Sequence, residues 1–113
     1  MNVIQLVPQN VHSSISGLAI NLVHSNLIIV NGAIGSAASQ IVIPGSQILF
    51  ELPPNYKLIN EVRAPVAVLS VTNNYLFNLF ASSNTNKFIN SSSSNVTLAK
   101  AGYFSFVAII EKI

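Results

Sequence analysis

The chain has 113 residues, half of them hydrophobic, with 5 Lys and Arg against 3 Asp and Glu, no Cys and a formal net charge of +2. A chain of this length supports one hydrophobic core, so residues 1–113 are read as a single domain. Singly scattered cations offer no track for a phosphate backbone, which argues against nucleic acid, and the lack of Cys excludes disulfides, thiol chemistry and Cys-ligated metal.

Charged residues make up 7% of the chain, where an ordinary soluble domain carries about 25%. Asn and Ser supply the missing polarity. The longest apolar runs, such as FVAII at 106–110, fall far short of the ~20 residues of a spanning helix, so no membrane insertion is expected. The opening MNVIQLVPQN has neither the basic flank nor the apolar block of a signal peptide.

Along the chain, short apolar bursts rich in Val, Ile, Leu and Phe are each closed by Gly, Pro, Asn or Ser, which is the strand pattern. Strands are predicted at VIQLV (3–7), LAINLV (18–23), LIIVNGAI (27–34), QIVI (40–43) and QILFEL (47–52). After Pro53-Pro54 come VAVLSVT (66–72), YLFNLFA (75–81), KFIN (87–90), NVTLA (95–99) and YFSFVAII (103–110). The connections His24-Ser25-Asn26, Pro44-Gly45-Ser46, Thr72-Asn73-Asn74 and Lys100-Ala101-Gly102 carry turn chemistry, so consecutive strands are expected to be antiparallel neighbours. No stretch sustains a helical period. About ten short strands in one small domain predict an all-β fold: a compact antiparallel β-sandwich or barrel, jelly-roll-like.

Two strands have apolar residues on both faces. In YFSFVAII, Phe104, Phe106, Ala108 and Ile110 lie opposite Tyr103, Val107 and Ile109, with Ser105 the one polar residue. In VAVLSVT, Ala67, Leu69 and Val71 lie opposite Val66, Val68 and Ser70. One face of each fills the core. The other is either covered by loops or the N-terminal segment, or packed against another subunit. The second arrangement predicts a homo-oligomer with Val66, Val68, Val107 and Ile109 at its interface.

Candidate chemistry is sparse. Glu51, Glu61 and Glu111 stand apart, no G-x-S-x-G elbow appears, and His12 and His24 have no nearby carboxylate, so neither catalysis nor a metal site is predicted and no cofactor is implied. The acceptor patterns at Asn90-Ser91-Ser92 and Asn95-Val96-Thr97 are what a chain so rich in Asn and Ser yields by chance. The loop Thr72-Asn73-Asn74-Tyr75 and the segment from Ser82 to Lys87, with Asn84 and Asn86, gather amides, hydroxyls and one aromatic, the equipment for holding a sugar ring. Arg63 either clamps a carboxylate or phosphate of a glycopolymer or pairs with Glu61 or Glu51.

Three features in fixed order carry a resemblance to a known family. They are NLIIVNGAIG (26–35), then Leu52-Pro53 followed by Tyr56, then Ala64-Pro65-Val66. Together they resemble the C-terminal head domain of receptor-binding, baseplate and tail-fibre proteins of tailed phages that infect Gram-positive bacteria. The likeness spans roughly Gly17 to Ile110. It departs from the family where Lys57-Leu58 replaces an arginine-proline pair, and where Trp and Asp, common in saccharide sites, are absent.

The resemblance implies a virion protein of the phage tail or a surface appendage. It implies a trimer that attaches to host cell-surface saccharide without catalysis, with Tyr56 and Arg63 joining Asn73, Asn74, Tyr75, Asn84, Asn86 and Lys87 as binding residues. It also implies that the diproline corner sends an extended segment across one end of the domain. Two other classes compete: a structural module for capsid decoration or fibre assembly, and a non-viral, lectin-like adhesion domain.

Overall fold

The computed structural model describes residues 3–35, 41–67, 75–98 and 101–113. Among them run β1 (Ile4–Leu6), β2 (Ile15–His24), β3 (Leu27–Ile34), β4 (Ile41–Ile43), β5 (Ile48–Glu51) and β6 (Tyr56–Leu58). They are followed by β7 (Val62–Ala67), β8 (Tyr75–Ala81), β9 (Lys87–Asn90), β10 (Val96–Leu98) and β11 (Gly102–Lys112). The fold is all-β and antiparallel. One curled sheet has the order β1-β2-β3-β11-β7-β8-β9-β5, with β6 added to the far end of β11, and β4 pairs with β10 in a small second sheet. The described residues include no helix long and apolar enough to cross a membrane.

Strands β3, β8 and β9 coincide with the sequence expectation to the residue. Strands β1, β2, β4, β5, β10 and β11 shift by one to three residues at their ends, and two elements differ more. Strand β6 follows the diproline, where an extended link was expected, and β7 begins at Val62 and runs through Pro65, a residue that reads as a strand breaker. Proline lacks a donor and is tolerated where a strand has an unpaired side. That is the situation of Pro65, because among the described residues β7 meets β11 only at the Ala67–Tyr103 pair.

The curl brings opposite parts of the sheet into contact. Phe104 and Phe106 of β11 meet Phe50 of β5 and Phe88 of β9. Ring centroids are 4.6 Å apart for Phe50–Phe88, 6.0 Å for Phe50–Phe104 and 5.4 Å for Phe88–Phe106. Around them lie the fully buried Ile20, Ile28, Val30, Leu49, Leu79 and Ile110. Ile43 and Leu98 of the second sheet are also fully buried.

The N-terminal segment seals the edges. Strand β1 pairs with β2, and a few residues later Gln9 exchanges two backbone hydrogen bonds with Glu51, at 2.9 and 2.8 Å. The His12 N–H then donates to the Leu49 carbonyl at 2.8 Å. One stretch therefore touches both ends of the curled sheet and leaves neither edge fully open.

At the corner, Leu52 is buried and the Tyr56 N–H donates to the Pro53 carbonyl at 3.0 Å, closing a turn. The chain then enters β6, which pairs Leu58 with Ile110, Lys57 with Glu111 and Tyr56 with Lys112. On its other side, the Leu58 N–H donates to Thr85 and the Leu58 carbonyl accepts from the Asn84 N–H, each at 2.8 Å. The rigid corner carries an extended segment across the end of the barrel, between the β8–β9 turn and the C-terminal end of β11.

Candidate functional site

The outer face of the curled sheet divides into two halves of different chemistry. On β7, β8, β9 and β5 it carries charge: Arg63 and Lys87 are exposed, Glu51 stands opposite Lys87, and Glu61 precedes β7. On β2, β3 and the paired part of β11 it carries none. There the register sets Ala33 opposite Tyr103, Asn31 opposite Ser105, Ile29 opposite Val107 and Leu27 opposite Ile109. Tyr103, Val107 and Ile109 are 46%, 59% and 39% exposed. Period-2 alternation produces this directly, since Phe104, Ala108 and Ile110 point into the core.

Of the expected interface residues, Val107 and Ile109 stand on this open apolar face and Val68 lies outside the described residues. Val66 is a correction. It is fully buried with Ala64, because β7 turns Val62, Ala64 and Val66 inward and exposes Arg63 and Pro65.

The expected saccharide residues separate into groups. Asn73 and Asn74 lie outside the described residues, and Tyr75 opens β8. Asn84 takes a positive φ of 65° in the β8–β9 turn, a conformation that Asn tolerates. Asn86 donates its side-chain amide to the Leu52 carbonyl at 3.1 Å. Tyr56 packs half-buried against the core. The corner and the turn do bring these three together, and the recorded bonds of Asn84 and Asn86 hold the diproline crossing in place.

Arg63 and Lys87 flank Phe80 on the outer face. The Arg63 guanidinium carbon lies 4.6 Å from the centroid of Phe80, and its Nε donates to Glu61 at 3.1 Å. Of the two carboxylates expected as structural partners of Arg63, it is Glu61 that lies within bonding distance. A small depression of about 170 Å³ opens beside them, lined by Phe80, Ser82, Thr85, Lys87 and Ile89.

The larger depression was not anticipated. An open hollow of about 590 Å³ lies between β2, β3, β11 and β7, lined by Ser16, Gly17, Asn31, Gly32, Ala33, Pro65, Tyr103 and Ser105. Two local features open it. Strand β2 slips register between Ser16 and Ala19, with Gly17 at φ 60° and no atom within 4 Å of where a side chain would begin. On the opposite wall, β7 has parted from β11 beyond the Tyr103–Ala67 pair, at Pro65. The Ser105 hydroxyl donates to the Asn31 side-chain oxygen at 2.7 Å. The only hint in the sequence was that Asn31 and Ser105 are lone polar residues in apolar strands; their pairing across the ladder depends on register.

Other candidate chemistry is occupied within the fold. Glu51 accepts from the Asn10 amide at 2.7 Å, and the His12 ring takes Ser14 at 2.7 Å in a tight turn. Among the described residues no group of three or more His, Cys, Asp or Glu side chains gathers as a metal site would require. The chain matches no protein-family profile, no curated protein and no solved structure.

Proposed function

We propose that the chain is a receptor-binding head domain of a phage appendage, a homo-oligomer, a trimer by its resemblance to such heads, that attaches the virion to saccharide on the host surface. The single observation that supports it is the uncharged apolar ladder of Leu27, Ile29, Val107 and Ile109. In a chain with so few charges, an open face of this kind needs a cover. The N-terminal segment is engaged at the sheet edges, and a second copy supplies a matching surface. Repetition of a weak sugar site around an oligomer gives avidity without any new contact.

Light scattering on the size-separated protein, joined to a pull-down on host cell walls, tests this reading. The expected result is a multiple of 12.1 kDa that binds the walls. A monomer that binds no wall or glycan overturns it. A structural module for decoration or fibre assembly is the second reading. It is favoured by the side-chain amides of Asn86 and Asn90, which donate to the protein's own backbone carbonyls. An oligomer with no saccharide affinity identifies that case.

A further inference from the structure

We propose that the hollow between β2, β3, β11 and β7 binds a neutral, polyhydroxylated ring, a single sugar unit without carboxylate or phosphate. The inference rests on the saccharide reading above and gives it a location and a ligand class. Its volume of about 590 Å³ falls in the roughly 300–1,000 Å³ range of small-molecule sites. The lining combines an exposed aromatic, Tyr103, and the apolar Ala33 and Pro65 with the hydroxyls of Ser16 and Ser105 and the amide of Asn31.

The Asn31–Ser105 bond uses the amide oxygen of Asn31 and leaves its two N–H donors without a partner among the described residues. Donors fixed beside an aromatic ring suit a ligand with an apolar face and hydroxyl edges. Among the described residues no charged side chain lines the hollow, and the cation on β7, Arg63, holds Glu61 at 3.1 Å. An anionic ligand there would lose water and gain no counter-charge from these lining residues.

The same polar pair separates the hollow from the apolar part of the ladder. Covering Asn31 with the apolar face of another copy would leave its amide donors unsatisfied, whereas Val107, two residues along β11 from Ser105 and about 7 Å away, has no such group to lose. Subunit contact therefore belongs at the Ile29–Val107 end and ligand at the Tyr103 end.

The test is a backbone NMR titration of the intact protein with glucose, with N-acetylglucosamine and, separately, with glycerol phosphate. The expected result is shifts centred on Ser16, Asn31, Ala33 and Ser105 with a neutral sugar and none there with glycerol phosphate. Tyr103→Ala should weaken them about fivefold through loss of stacking, and Tyr103→Phe should retain them. Shifts at Lys87 and Thr85 instead, or shifts unchanged in Tyr103→Ala, overturn the assignment. Cell-wall binding that survives Tyr103→Ala and Asn31→Ala overturns the hollow while leaving the head reading intact. A wild-type protein that binds neither walls nor any sugar overturns both.

Discussion

Asn90 is fully buried, and its side chain ties the second sheet to the first. Its amide donates to the carbonyls of Pro44 at 3.1 Å and Ile43 at 3.4 Å, while its oxygen accepts from the Ser92 N–H at 2.9 Å. Removing those partners strands buried backbone groups, so Asn90→Ala should cost about 2–3 kcal/mol in urea unfolding. A loss under about 0.5 kcal/mol would mean that water replaces the amide. In the sequence this residue was one Asn among many in an acceptor pattern, because burial is invisible to a motif. Gly32 carries a second residue-scale constraint. A side chain begun there would stand 2.6 Å from Phe104, whose ring is already stacked between Phe50 and Phe106. Gly32→Ala should therefore destabilise by about 1–3 kcal/mol from overpacking, and a thermal midpoint equal to wild type would show that the ring has room to move.

At the scale of elements, the diproline corner and the N-terminal seam do different work. The corner aims β6 along β11, and the Asn86 amide holds it by the Leu52 carbonyl. Asn86→Ala should lower stability by about 1 kcal/mol and speed hydrogen exchange at Leu52 and Leu58, whereas a change confined to sugar binding would reassign Asn86 to the ligand. Removing residues 1–7 should have a broader effect, because Leu6 leaves the core and β2 becomes an open edge. A loss of about 2–3 kcal/mol with concentration-dependent aggregation is expected; a truncated protein as stable and soluble as the whole chain would mean that the segment seals nothing.

For the whole molecule, the division of the outer face gives the sharpest prediction. In the proposed assembly Val107→Lys should dissociate the copies, because an unpaired charge buried between apolar faces is strongly unfavourable, while Lys87→Glu on the charged half should leave the mass in solution unchanged. Equal behaviour of the two variants would reject the Ile29–Val107 end as the contact. Val66→Lys would be uninformative here, since that side chain lies in the core.

Local pattern alone determined the strand content, the placement of β3, β8 and β9, the two faces of β11 and the absence of disulfide chemistry, because alternation and turn residues act over a few positions. Tertiary structure decided what pairing between distant segments creates: the seam from Gln9 to Glu51, the burial of Val66, the inward use of Asn86 and Asn90, and the hollow at Tyr103. The hollow forms where a bulge at Gly17 and a donor-free Pro65 happen to flank one ladder. Neither residue marks a site alone, and only strand order and register bring them to opposite walls.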